Sequence, residues 1–216
     1  MSLKIKICGL RTPEALDAAL DAGADYFGLV FYPRSPRNVS LELAGSLVER
    51  AGGRAKSVAL TVDSDNAEIQ AIIDTVAPDM IQLHGNETPE RVKDIKILSG
   101  KPVIKAIRVE STADVEGAIA YTGFADLILF DAKAAPGDDK ALPGGNGVPF
   151  DWKALMGVKG NADFMLSGGL NPDNVAEAIA MTGAHMVDVS SGVESTPGEK
   201  DISLIRKFIT AVRSAE

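Results

Sequence analysis

Thiols are almost missing from this chain, with a single cysteine, Cys8, among 216 residues. One thiol excludes an internal disulfide and any multi-thiolate metal site, and it implies a free sulfhydryl in a reducing compartment, so the cytoplasm is the expected location. Positive charge is also scarce: 22 Lys and Arg stand against 30 Asp and Glu, a formal net charge of -8. Without a broad cationic surface there is little to neutralise a nucleic-acid backbone or an anionic membrane, so neither is an expected partner. No apolar run approaches the ~18 residues of a membrane span. Residues 1–7 carry alternating lysines where a secretory leader would have its apolar stretch. The two histidines, His84 and His185, lack metal-ligand spacing, so no metal is expected. No linker or composition shift divides the chain, and residues 1–216 read as one domain.

What is present is a repeated alternation. Apolar, strand-like runs occur at 3–7, 26–31, 55–61, 80–83, 103–107, 127–130, 164–166 and 186–189. Helix-compatible segments lie between them, with start signals at Thr12-Pro13-Glu14, Ser40 with Glu42, Asp65, Thr88-Pro89-Glu90, Ser111, Asn171-Pro172-Asp173 and Asp201. Regular strand and helix alternation implies right-handed crossovers and a parallel sheet. Eight units favour an α/β fold closed as a (β/α)8 TIM barrel over an open doubly wound sheet, which usually stops at five to seven strands. One connection stands out. Residues 134–149, after the sixth strand, are dense in Gly, Pro and Asp and read either as a lid over the site or as a passive surface loop.

In such a barrel the loops after the strands build the site, so reactive residues should follow the apolar runs. Strand alternation puts Lys6 and Cys8 on one face, toward the interior, with Ile5 and Ile7 under the helices. A thiol titrating near its ordinary value of about 8.5 is only a few per cent ionised at neutral pH, so Cys8 needs local help to act as a base, and Lys6 can supply it. Otherwise Cys8 is a small buried hydrophobe. Asp131 ends the run 127–130, where apolar walls would favour a protonated carboxyl able to donate; a loop-capping role is the alternative. The turns Ser167-Gly168-Gly169 and Ser190-Ser191-Gly192 follow strands seven and eight, where glycines let backbone N–H groups approach a phosphate. Arg37, in a proline-stiffened loop after strand two, can grip a carboxylate bidentately or sit solvated at the surface. His84 closes strand four at the rim, and His185 precedes strand eight at the opposite end. Lys105, inside strand five, suits an ion pair better than a Schiff base.

Taken in order, these segments resemble the phosphoribosylanthranilate isomerase family over nearly the whole chain. The resemblance is carried by Lys6-Ile7-Cys8-Gly9-Leu10, the run from Gly28 through Arg37, Gln82-Leu83-His84-Gly85-Asn86-Glu87, Asp131 with Lys133, Gly144-Gly145-Asn146-Gly147, Phe150-Asp151-Trp152, Ser167-Gly168-Gly169-Leu170 and the run from Asp188 through Glu194. It implies a cofactor-free Amadori rearrangement of N-(5-phosphoribosyl)anthranilate to 1-(2-carboxyphenylamino)-1-deoxyribulose 5-phosphate, in tryptophan biosynthesis. It further implies Cys8 as general base, Asp131 as general acid, Arg37 on the anthranilate carboxylate, and Gly168, Gly169, Ser190, Ser191 and Gly192 around the phosphate. The expected partner is this small phosphorylated substrate, the expected assembly a monomer or homodimer. Two departures from the family pattern, the third-strand run Val58-Ala59-Leu60-Thr61-Val62-Asp63 and Asn146 in place of threonine, touch neither acid nor base. A noncatalytic phospho-sugar binding barrel and a Lys105-dependent aldolase are the competing readings.

Overall fold

A computed structural model describes residues 2–132, 144, 151–158 and 164–216. Eight parallel strands follow one another around a ring: β1 (Lys4–Cys8), β2 (Tyr26–Phe31), β3 (Lys56–Thr61), β4 (Met80–Leu83), β5 (Val103–Val109), β6 (Leu127–Ala132), β7 (Phe164–Leu166) and β8 (Met186–Val189). Pairing of β8 with β1 closes the barrel, with Lys6 beside Asp188 and Ile7 beside Val189. Two strands run past their apolar stretch. β5 continues to Val109 and β6 to Ala132, so Asp131 lies inside a strand, where the ladder fixes its direction, and not in the loop beyond it.

Seven α-helices are described: α1 (Pro13–Asp21), α2 (Leu41–Ala51), α3 (Asn66–Val76), α4 (Pro89–Ser99), α5 (Thr112–Gly117), α6 (Val175–Thr182) and α7 (Ile202–Arg213). Their starts are chemically marked. The side chains of Thr12, Ser40 and Thr88 accept from the backbone N–H groups of Ala15, Leu43 and Arg91, and Asp65 forms a reciprocal capping box with Glu68. Each such cap is worth about 1 kcal/mol. The exception is α6, which begins at Val175 with Asn174 before it, three residues after the expected start. The Asn171 and Asn174 side chains bond backbone N–H groups of the same turn instead, which keeps 171–174 out of the helix.

The strands are buried on both faces. Ile5, Ile7, Ile81, Leu83, Val103, Phe130, Phe164, Leu166, Val187 and Val189 join the helix residues in one large core. Each fully buried side chain of this size contributes about 1.5–3 kcal/mol. The other strand face lines the lumen. Val58, Met80, Ile104, Ala106, Leu129 and Met165, from β3 to β7, form one apolar layer, and the buried Lys6 of β1, Gln82 of β4, Asp131 of β6 and Asp188 of β8 occupy further lumen-facing positions. A short antiparallel hairpin, β9 (Glu194–Thr196) with β10 (Glu199–Lys200), follows β8 and was not expected from the sequence. Residues 134–149, read above as lid or loop, lie outside the described residues apart from Gly144.

Candidate active site

Cys8 is the last residue of β1 and sits opposite Gly28 of β2. A Cβ at residue 28 would stand 2.7 Å from the Cys8 sulfur, so glycine there leaves the thiol its space. Lys6, one lumen position lower, is fully buried and donates to Asp188 at 2.9 Å, while the Ser167 hydroxyl donates to the other Asp188 oxygen at 3.3 Å. Lys6 therefore supports Cys8, but its charge is shared with Asp188. Burial works against the Lys6 ammonium, yet Asp188 and the thiol hold its pKa above the ordinary lysine value. Burial pushes the Cys8 thiol up and Asp188 adds to that push; the Lys6 and Lys200 ammoniums pull the other way.

Across the mouth, Asp131 is buried but not walled by apolar groups alone, as the sequence suggested. Its Oδ2 lies 3.1 Å from His84 Nε2, and its Oδ1 accepts from the Ala132 N–H at 3.0 Å. His84 Nδ1 faces the Gln82 amide nitrogen at 3.1 Å. His84 thus bridges Gln82 and Asp131 through its two ring nitrogens. Arg108, from β5, donates to the His84 carbonyl at 3.2 Å and steadies the same loop. Gly144 crosses this pair so closely that a Cβ there would lie 2.5 Å from Asp131 Oδ2 and 2.7 Å from His84 Nε2.

The two glycine turns lie at the same end of the barrel as Cys8 and Asp131. Gly168 and Gly169 adopt φ of +87° and +64°, and a side chain at 168 would collide with the Ala132 backbone. The Asn174 side chain ties this turn down by donating to the Gly169 carbonyl at 3.0 Å. Gly192 sits in a short 3-10 turn, Ser191–Val193, against the Leu170 carbonyl, which brings the second turn onto the first. The Ser190 hydroxyl donates to the Cys8 carbonyl at 3.1 Å, so that turn also touches β1.

Arg37 is not a solvated surface arginine. Its side chain is nearly buried, and Nε and Nη2 each reach a Glu194 oxygen at 2.8 Å. The bidentate geometry expected toward a ligand is thus already used within the protein on Glu194. Glu194 also accepts from Lys200 at 2.6 Å and from the Gly198 N–H at 3.1 Å. These contacts hold its carboxyl below the usual range despite burial. Lys200 carried no signal in the sequence reading, because the hairpin that delivers it has no apolar alternation. Glu194 appeared there only as the end of a family motif, its partner 157 positions away.

Lys105 faces the helices and not the lumen, in step with Val103 and Ile107. Its ammonium donates to Glu87 at 2.7 Å and to the Gly85 carbonyl at 2.9 Å, and lies 5.7 Å from the Tyr121 ring centre. That is the ion pair expected of it, and the aldolase reading loses its nucleophile. His185 lies at the N-terminal end of β8, exposed and far from the mouth. Among the described residues there is no group of three or more His, Cys, Asp and Glu able to hold a metal ion. No described helix is long and apolar enough to cross a membrane.

Comparison with known proteins bears on what this mouth does. The family model described as N-(5'phosphoribosyl)anthranilate (PRA) isomerase matches residues 5–211. The N-(5'-phosphoribosyl)anthranilate isomerase of Rhizobium meliloti (strain 1021) is 52% identical over 216 residues, covering 100% of both chains. The crystal structure of phosphoribosyl anthranilate isomerase from Thermotoga maritima superposes with a TM-score of 0.88 at 34% identity, over 98% of this chain and 99% of that one. A crystal structure of the isomerase in complex with reduced 1-(o-carboxyphenylamino)-1-deoxyribulose 5-phosphate gives 0.85 at 33% identity, over 98% and 99%. Read with the barrel and its rim, these likenesses show that the chain belongs to the N-(5'-phosphoribosyl)anthranilate isomerase family.

Proposed function

We propose that this barrel performs its family's isomerisation with Cys8 as general base and Asp131 as general acid, and with the two glycine turns holding the substrate phosphate. The observation that carries the reading is the pair of opposed, inward-facing groups at one barrel mouth, at the ends of β1 and β6. Strands ~4.8 Å apart and tilted ~36° close a ring of about 7 to 8 Å radius. Three strand steps around that ring put the two backbones about 14 Å apart, and the side chains pointing inward leave room for a pentose between them.

Asp131 protonates the furanose ring oxygen as the C1–O bond breaks, and the anthranilate nitrogen lone pair forms the C1=N bond. The Cys8 thiolate then removes the C2 proton, and the C2–H electron pair forms C1=C2 while the C=N pair returns to nitrogen. The resulting enolamine ketonises, gaining a proton at C1 and losing one from the C2 hydroxyl. The substrate nitrogen is the electron sink, so one acid and one base suffice for every step. His84 orients the acid through its contact with Asp131 Oδ2. Phosphate binding, remote from C2, helps hold the reacting carbon against the thiol. Arg37 reads as the ligand of the anthranilate carboxylate, in the position that its pair with Glu194 fixes. A thiol that must stay reduced to act as a base fits a cytoplasmic setting.

The test is substitution with separate binding and turnover measurements. Cys8→Ala and Asp131→Asn should each lower turnover, followed as loss of phosphoribosylanthranilate fluorescence, by about 10²- to 10⁴-fold. Calorimetric binding of reduced 1-(o-carboxyphenylamino)-1-deoxyribulose 5-phosphate should persist in both. Near-normal turnover in either variant rejects that residue's role.

A further inference from the structure

We propose that Lys200 is a positioning residue for this reaction: its buried ammonium stabilises the Cys8 thiolate and holds the Ser190 turn against the β1 strand end. The proposal rests on the reading of Cys8 as the base. Lys200 arrives from the β9–β10 hairpin with its side chain 2% exposed. Its Nζ donates to the Ser190 carbonyl at 2.9 Å, to the Ser190 hydroxyl at 3.2 Å and to Glu194 at 2.6 Å. The Ser190 hydroxyl in turn donates to the Cys8 carbonyl. Two hydrogen bonds therefore link the ammonium to the residue that carries the thiol.

Charge balance gives Lys200 its role. The charged groups that act on the thiol are Lys6 from its own strand, Asp188 from β8 and Lys200 from β10, with Glu194 and Arg37 behind Lys200. Lys6 and Asp188 cancel in a buried pair. Lys200 and Arg37 share the Glu194 carboxylate, so Glu194 is not available to Lys200 alone. A thiolate at Cys8 adds negative charge beside the buried Lys200 ammonium, and the two charged forms favour each other in this dry site. Burial brings the Lys200 pKa down to about 8, against the pull of Glu194, so the ammonium is still mostly charged near neutrality. It is held there more firmly once the thiolate forms.

The single cysteine makes the test direct, because thiolate absorbance at 240 nm, corrected with Cys8→Ser, reports Cys8 alone. In Lys200→Met the midpoint should move up by about one pH unit, roughly a tenfold loss of thiolate at neutral pH. The acidic limb of kcat/KM should follow it, and Lys200→Arg should restore both. Glu194→Gln removes the carboxylate that Lys200 and Arg37 share and should move the midpoint down. Opposite movements from two neighbouring substitutions are not produced by loosened packing, and either variant alone can decide the question if the other fails to fold. A wild-type midpoint in Lys200→Met, or an upward move in Glu194→Gln, overturns the proposal. Full turnover in Cys8→Ala instead overturns the role of Cys8 and leaves these titrations standing.

Discussion

Asp188→Asn offers the sharpest test of how the lumen is built. The carboxylate meets the Lys6 ammonium at 2.9 Å, with side chains 5% and 0% exposed. Removing one partner of a buried pair leaves an uncompensated charge and costs about 3–5 kcal/mol. Lys6 can limit that cost by shedding its proton: from an ordinary value of about 10.4, neutrality at pH 7 costs about 4.6 kcal/mol, at 1.36 kcal/mol per pH unit. At pH 9 the same limit falls to about 1.9 kcal/mol. The sign follows from proton counting. In the variant the folded-state pKa of Lys6 is depressed, the unfolded chain binds more protons between the two values, and stability rises with pH. In the unaltered protein that pKa is raised, so its contribution is fully present below the unfolded value and stays nearly constant from pH 7 to 9. Urea unfolding followed by the single tryptophan, Trp152, reads both. With a slope of about 2 kcal/mol/M, the midpoint should drop by roughly 1.5–2.5 M at pH 7 and by about 1 M at pH 9. Lys6→Met in the Asp188→Asn background should recover part of the loss. A loss below about 1 kcal/mol at pH 7, or one that does not shrink toward pH 9, refutes the idea that an ion pair organises this layer.

Gly28→Ala should cost about 1–3 kcal/mol and lower kcat more than it changes KM, because the new methyl stands 2.7 Å from the Cys8 sulfur; unchanged turnover would place the thiol elsewhere. Acid stability should depend on Glu87 and Glu194, both held below their ordinary values against burial, Glu87 chiefly by Lys105 and Glu194 by Arg37 and Lys200. Their contribution is present above about pH 4.3 and is lost as pH falls through the lower folded-state values. The urea midpoint of Glu87→Gln should therefore change less than that of the unaltered protein between pH 4.5 and 3, and equal changes in the two would count against the pair.

The barrel could be read from the sequence because its strands are short apolar runs and its helices begin at side chains that cap them. Thr12, Ser40, Asp65 and Thr88 all do what their identity and position suggest. Strand alternation also predicted the inward direction of Lys6 and Cys8, and the rim positions of His84 and Asp131 followed from where their strands end. What escaped was pairing over long separations. The sequence does not reveal that Asp131 meets a histidine 47 positions away. Nor does it show that Arg37 spends two of its donors on Glu194. The hairpin at 194–200 was missed because its residues, Glu-Ser-Thr-Pro-Gly-Glu-Lys, show no apolar alternation. It is organised instead by the buried carboxylate of Glu194. The α6 start was misjudged for a related reason, since two asparagines satisfy the turn locally before the helix can begin.

In the proposed mechanism one thiol and one carboxyl group act on opposite sides of a sugar whose phosphate is held by the turns after β7 and β8. A crystal structure of this protein with reduced 1-(o-carboxyphenylamino)-1-deoxyribulose 5-phosphate tests it most directly. The phosphate should lie against Gly168–Gly169 and Ser190–Gly192, with C2 of the sugar chain facing the Cys8 sulfur and the former ring oxygen facing Asp131. A phosphate bound elsewhere, or a sugar chain with both groups on the same side, contradicts it.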